Sequence, residues 1–249
     1  MLSKATIKFI KSLQVKKYRK QEQCFVIEGG KSVEELLASD FEVVKVLGTP
    51  EFLSETKATL RGEVIEVTES ILETLGEFRS NRTALAIAKI KPNSRVEVGS
   101  SEYGLVLDDV RDPGNLGTII RTADWYGIAK IIVSPETADF YNPKVISATM
   151  GSFTRVQLYY TDLSTFLSAT RLPVYGAFLE GADVHRVAFK AGGLLVVGSE
   201  SHGISAEVER FVTEKITIPR FGAAESLNAG IATAVICDNI RRVVGLFGG

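Results

Sequence analysis

Cysteine and histidine are scarce in this 249-residue chain, with only Cys24, Cys237, His185 and His202 present. Two cysteines so far apart exclude a disulfide framework, and no His/Cys cluster has zinc spacing, so no metal is expected. Free thiols fit a reducing, cytoplasmic setting. Apolar runs long enough to span a bilayer are missing, as is a signal-peptide pattern, so no membrane partner is expected. Net charge is also missing: 29 basic and 30 acidic residues give −1, so any nucleic-acid surface has to be local. Neither G-x-G-x-x-G nor G-x-x-x-x-G-K-[ST] occurs, which removes the Rossmann and P-loop assignments. There are no internal repeats or low-complexity tracts.

What is present is an ordinary globular composition, 45% hydrophobic and 24% charged, enough for one large or two modest domains. The charge is concentrated at the front. Lys4, Lys8, Lys11, Lys16, Lys17, Arg19 and Lys20 precede the first acidic residue, Glu22, and are interleaved with Ile7, Phe9, Ile10, Leu13 and Tyr18. The segment reads as a basic amphipathic helix. Its charged side is either a solvated face or a contact for RNA backbone through Lys16, Lys17, Arg19 and Lys20. A transit peptide or membrane-surface helix fits less well, because the segment is Lys-rich rather than Arg- and Ser-rich and runs straight into folded-looking sequence.

From Cys24 to Lys91 short strands and helices alternate. Phe25–Ile27, Val43–Leu47, Glu63–Val67 and Ala84–Ile90 read as strands. A helix through Ser32–Leu37 has Ser32 and Glu35 at capping-box spacing, and Thr68 or Ser70 opens another. Lys91–Arg95, continuing to Glu102, has the composition of a linker. The expected organisation is a small α/β domain over 1–92, a linker over 93–102 and a second domain over 103–249.

The second half carries denser signals. Strand Tyr103–Leu107 runs into Asp108-Asp109-Val110-Arg111-Asp112-Pro113-Gly114-Asn115, of which Asp112–Asn115 alone reads as a plain turn. An apolar helix follows from Leu116 to Tyr126, with Gly127 as its C-cap. Asn115 and Arg121 lie on its opening turns. Leu194–Gly198 is a strand buried on both faces, ending in the small-residue loop Ser199-Glu200-Ser201-His202-Gly203-Ile204-Ser205. Its glycines permit close approach of backbone to a ligand, and His202 reads as a surface loop residue. Lys215–Ile218 is a short strand broken by Pro219 and Gly222. A small-residue helix then starts near Leu227, with Ser226 as its N-cap.

Three of these stretches, Leu107–Ala123, Val197–Ser205 and Ile218–Asn228, together resemble the SpoU/TrmH family of RNA ribose 2′-O-methyltransferases, in the SPOUT superfamily. Asn142-Pro143-Lys144 and Ala148-Thr149-Met150-Gly151-Ser152 look like the family's linking segment. Lys16-Lys17-Tyr18-Arg19 and Phe25-Val26-Ile27-Glu28-Gly29 look like the entry to the ribosomal-protein-like substrate domain of many members. The resemblance implies an α/β fold with a parallel sheet and a deep C-terminal trefoil knot. It implies S-adenosyl-L-methionine bound in that knot, with Gly198, Glu200, Gly203, Ile218 and Leu227 as its contacts. It also implies a homodimer through the second domain, involving Ile231, Ala234 and Val235.

In the same way the resemblance makes Arg121, Asn115, Glu200, Ser226 and Asn228 the polar active-site positions. Arg121 matches the residue proposed to activate the 2′-hydroxyl. A guanidinium stays protonated below about pH 12, so Arg121 is expected chiefly to position phosphate and ribose, with Glu200 holding Arg121 or Asn115. The expected substrate is structured RNA, 23S ribosomal RNA ahead of transfer RNA. A non-catalytic RNA-binding protein in ribosome assembly is the alternative. Two departures stand out: Ala229-Gly230 replaces the common Val-Ser, and Ser80-Asn81-Arg82-Thr83 lacks the usual Pro-Gln-Gly.

Overall fold

The computed structural model describes residues 2–78 and 80–245. The chain forms two compact units. One comprises the chain up to Pro92 together with Asp139–Arg155; the other comprises Asn93–Ala138 and the chain from Val156 onward. The first begins with helices α1 (Lys4–Ser12) and α2 (Lys16–Glu22). It continues through β1 (Cys24–Glu28), α3 (Gly30–Leu37), β2 (Val43–Gly48), α4 (Pro50–Glu55), β3 (Glu63–Glu66), α5 (Glu69–Leu75) and β4 (Ala84–Lys89). Its sheet has the order β1-β4-β2-β3, with β4 antiparallel to both neighbours and β2 parallel to β3. Ile10 and Leu13 are fully buried with Val26, Leu47, Leu72, Leu85 and Ile87, so the basic N-terminal segment is part of this core. Each such side chain contributes about 1.5–3 kcal/mol by leaving water.

The remaining elements are β5 (Tyr103–Asp108), α6 (Pro113–Trp125), β6 (Lys130–Val133), α7 (Pro143–Thr149), a 3-10 turn (Ser152–Thr154), β7 (Gln157–Tyr160), α8 (Leu163–Ser168), β8 (Val174–Asp183), β9 (Gly193–Gly198), α9 (Ala206–Glu209), β10 (Glu214–Thr217) and α10 (Ala229–Gly245). The second sheet is wholly parallel, in the order β10-β8-β9-β5-β6-β7. Its central strands β5 and β9 are apolar runs buried on both faces, as a covered parallel sheet requires. From β5 the chain winds outward through β6 and β7, then returns to build the other side. The winding direction therefore reverses between β5 and β9, where open α/β sheets place ligands at the carboxyl ends of their strands. Helix α10 packs against α6. The C-cap of α6 is Tyr126, one residue before the expected Gly127, which follows it at φ +66°; the carbonyls of Gly127 and Tyr126 accept hydrogen bonds from Arg241 at 3.1 and 2.6 Å.

Several expectations change. The expected domain boundaries kept 139–155 with the second half, whereas this segment joins the first unit. There Tyr141 and Phe153 meet Phe25 at ring-centroid distances of 4.7 and 6.1 Å, and Arg155 pairs with Glu35. That ion pair takes Glu35 away from the expected capping box, and α3 is capped by Gly29 at φ +92° with no side-chain bond. The expected linker is packed rather than free. Val96 is buried in the second unit's core, and the Asn93 side chain exchanges two hydrogen bonds of 2.9 Å with the Tyr160 backbone. Both cysteines are buried and unpaired. Burial pushes both thiols up, Cys237 to about 12, which makes them structural rather than reactive.

The single basic helix is instead two, and the break turns Arg19 inward to 2% exposure. Its guanidinium donates to the carbonyls of Leu13 and Gln14 at 2.9 and 2.8 Å and to Asp139 Oδ2 at 2.7 Å. Arg19 is therefore a tie within the first unit, not an RNA contact, and the expectation for it is corrected. Replacing Arg19 with methionine leaves two carbonyls and a largely covered carboxylate without their donor. The expected loss is about 3–5 kcal/mol, read as a lower urea midpoint. Lys16→Ala, on the exposed side of α2, should stay within about 0.5 kcal/mol.

Candidate active site

The site is built where β5 and β9 end side by side, with Asp108 in register opposite Gly198. After Gly198 the chain turns back sharply. Ser199 and Gly203 exchange backbone hydrogen bonds of 3.0 and 2.9 Å, and Gly203 takes φ +68°. The turn presses on Gly198 so closely that a Cβ there would lie 2.1–2.2 Å from backbone atoms of Gly203 and Ile204. Asp108 Oδ2 accepts from the Ser205 N–H at 2.7 Å and anchors the far side of the loop. Glu200 is held at the tip.

Opposite it stands the first turn of α6. The expected turn at Asp112–Asn115 is already helical: Pro113 is the first helical residue and Asp112 is the N-cap, its carboxylate accepting from the Asn115 N–H at 2.8 Å. This burial and capping fix Asn115, which is 9% exposed. Its amide joins two partners. Nδ2 donates to Glu200 Oε1, and Oδ1 accepts from Asn228 Nδ2 at 2.7 Å. Asn228 Oδ1 in turn accepts from the N–H groups of Gly230 and Ile231 at 2.9 and 3.3 Å.

Asn228, not Ser226, is thus the residue that caps α10, and the helix begins at Ala229, two residues later than expected. Asparagine caps as well as serine does, and its remaining N–H₂ group can then reach Asn115. The backbone N–H bonds fix the orientation of the Asn228 amide, and the Asn228 donor and Glu200 acceptor then fix that of Asn115, so donation runs one way, from Asn228 to Asn115 to Glu200. Ser226 is exposed and makes no hydrogen bond among the described residues. Arg121 lies six residues beyond Asn115, about 9 Å along α6. It too is exposed without a hydrogen bond or ion pair among the described residues, so Glu200 holds Asn115 rather than Arg121.

Beside this chain of polar groups opens a cleft of about 1240 Å³, lined among others by Gly198, Glu200, Gly203, Ile218, Ser226 and Leu227. The stretch Ile218–Leu227 makes no backbone–backbone hydrogen bond among the described residues; Arg220 Nη1 donates to Ala224 O at 3.3 Å. Its amides and carbonyls are available to a ligand, between the half-exposed Leu227 and the exposed Leu179 on the bulged part of β8. Sequence reasoning missed Asp108, whose signal was a carboxylate ending an otherwise apolar strand, and the β8 bulge, which carried none. His202, exposed and bonded through Nδ1 to Ser201 Oγ at 2.7 Å, lies on the same rim. In the first unit Lys16, Lys17 and Lys20 are exposed on α2, without Arg19. Among the described residues no group of His, Cys, Asp and Glu could hold a metal ion, and no helix is long and apolar enough to cross a membrane.

The α/β fold with its parallel sheet agrees with what known proteins show. The family model for the SpoU rRNA methylase family matches residues 102–238, and that for the MRM3-like substrate binding domain matches residues 4–86. The chain is 30% identical to the 23S rRNA (guanosine(2553)-2′-O)-methyltransferase of Bacillus subtilis, covering 94% of this chain and 95% of that protein. It is 29% identical to the 23S rRNA (uridine(2479)-2′-O)-methyltransferase of Streptomyces viridochromogenes, over 76% of this chain and 70% of that one. A TrmH-family structure from Porphyromonas gingivalis matches with a TM-score of 0.87 at 38% identity, over 97% of this chain and 99% of that one. An AdoMet-bound rRNA methyltransferase from Sinorhizobium meliloti matches with a TM-score of 0.86 at 30% identity, over 97% and 96%. This chain belongs to the SpoU rRNA methylase family.

Proposed function

We propose that this protein methylates a ribose 2′-hydroxyl of large-subunit (23S) ribosomal RNA, using S-adenosyl-L-methionine. The observation that carries the reading is the directed chain Asn228–Asn115–Glu200 at the edge of a cleft with unpaired backbone groups. The cleft suits the cofactor. Adenine is well served by backbone hydrogen bonds between apolar flanks such as Ile218 and Leu227, and the glycine backbone at 198 and 203 allows close approach. When bound, the cofactor supplies a methyl group on a positively charged sulfur.

The chain's own residues then have to align the hydroxyl and accept its proton. Arg121, charged and unengaged, grips phosphate and orients the ribose. Glu200 has one oxygen committed to Asn115 and the other without a partner among the described residues, free to receive a hydrogen bond from the substrate. Ser226 is open to the same cleft. In the first unit Lys16, Lys17 and Lys20 meet RNA backbone, and this unit acts as the substrate-binding part, with the second unit as the catalytic part. The catalytic part works as a knotted homodimer in the cytoplasm. The segment Ile218–Asn228, passing beside the loop after β9, supports the knot. The exposed Trp125 and Ile231 on the paired helices α6 and α10 support the dimer.

The test is transcriptome-wide mapping of 2′-O-methyl groups in cells with and without this gene. One site in 23S rRNA should vanish in the deletion strain. A lost site in transfer RNA would move the substrate, and an unchanged map would overturn the enzymatic reading.

A further inference from the structure

Phe221 is 97% exposed, yet it stands on the wall of the cleft. Nothing in the fold accounts for it. It lies between Pro219 and Gly222 in the stretch that makes no backbone–backbone hydrogen bonds, and a Cβ placed on Gly222 would meet nothing within 4 Å. Its neighbour Arg220 is committed only through one 3.3 Å hydrogen bond to Ala224 O, so most of its guanidinium is open. An exposed aromatic ring beside an open guanidinium is the pair of groups that a nucleotide asks for, a π-face for the base and a cation for the phosphate. The cofactor asks for less of this: it carries no phosphate, and its net charge is positive.

We infer that Phe221 is the platform on which an unpaired base of the RNA substrate stacks, with Arg220 on the adjoining phosphate. This rests on the methyltransferase reading above and adds to it that the nucleotide presented to the cleft is unpaired. The bases of unpaired nucleotides are free to splay out and stack on aromatic side chains, and stacking on Phe221 would hold the neighbouring ribose at the cleft.

The experiment compares wild type, Phe221→Ala, Phe221→Trp and Arg220→Ala. The probes are an unmethylated full-length 23S rRNA transcript and, as control, a fully paired RNA duplex. Phe221→Ala should lower kcat/KM and transcript affinity roughly ten- to hundred-fold, and Phe221→Trp should restore both. Arg220→Ala should reduce the salt dependence of binding. Duplex binding, S-adenosylmethionine affinity and subunit association by light scattering should be unchanged in Phe221→Ala.

An unaltered kcat/KM in Phe221→Ala overturns the inference. So does an equal loss of cofactor affinity, which would make the ring part of the cofactor site, or a change in subunit association, which would make it a contact between copies. If wild type binds the transcript without methylating it, the enzymatic reading fails. The ratio of transcript affinities between wild type and Phe221→Ala still decides this one.

Discussion

Replacing Arg121 with alanine should reduce methyl transfer to ribosomal RNA by about 10²–10³-fold or more, while S-adenosylmethionine affinity stays within about twofold. The two parts of this result come from different features of the site. Arg121 is exposed on α6 and makes no hydrogen bond or ion pair among the described residues, and it is absent from the cleft wall. Its removal leaves neither a cavity nor an orphaned partner, so the cleft should bind as before. Its unused guanidinium is a cation on the same rigid helix that carries Asn115, free to take a phosphate of a bound RNA.

A guanidinium is a poor proton acceptor, so the proposed role of the group is to orient and stabilise rather than to act as the base. Arg121→Lys separates these roles. A lysine keeps the charge but loses the planar fork. It should therefore retain measurable transfer with an unchanged pH profile if Arg121 positions the substrate. Full turnover in Arg121→Ala under single-turnover conditions would sink the assignment; lost cofactor binding, measured by calorimetry, would relocate the residue to the cleft.

The parts of the fold that could be read from the sequence are those whose physics is local. The strands β5 and β9 announce themselves as apolar runs, and Gly127 marks the end of α6. The polar positions Asn115, Glu200 and Asn228, far apart in sequence, do meet. What could not be read depends on distant partners. Arg19 reads as one more cation in a basic segment until Asp139, 120 residues away, claims it. Glu35 reads as half of a capping box until Arg155 claims it. Ser226 and Asn228 are both good caps, and only the position of Asn115 decides between them. The bulge that gives β8 its cleft-lining residues has no composition signal, although Gly181 allows the close pass: a Cβ there would lie 2.6 Å from the Lys215 carbonyl oxygen. The Ala229-Gly230 departure also becomes clear. A Cβ on Gly230 would lie 2.9 Å from the Thr118 side chain, so the glycine permits the close approach of α10 to α6.

Gly198→Ala should be the most damaging single-methyl change in the second unit, abolishing S-adenosylmethionine binding and lowering the melting temperature. The added Cβ would sit 2.1 Å from the Gly203 carbonyl carbon and 2.2 Å from its oxygen and from the Ile204 nitrogen. All three are backbone atoms and cannot rotate aside. Relief requires opening the Ser199–Gly203 hydrogen-bonded pair, and the Asp108–Ser205 anchor resists that movement. Overpacking of this kind costs about 1–3 kcal/mol or more, equivalent to several degrees at about 2–4 °C per kcal/mol.

The same shift carries Glu200 away from Asn115 and moves the wall proposed to meet the cofactor, which is why binding and activity should fall together. Gly203→Ala supplies the internal comparison. Its Cβ would enter open space, and only the positive φ of +68° opposes it, a cost of about 1–2 kcal/mol without displacement of the loop. Cofactor affinity measured by calorimetry should therefore be lost in Gly198→Ala and only modestly weakened in Gly203→Ala. If the two variants bind alike, the close contact at Gly198 is not what shapes the cleft. The backbone strain at Gly203 would then be the dominant constraint on the loop.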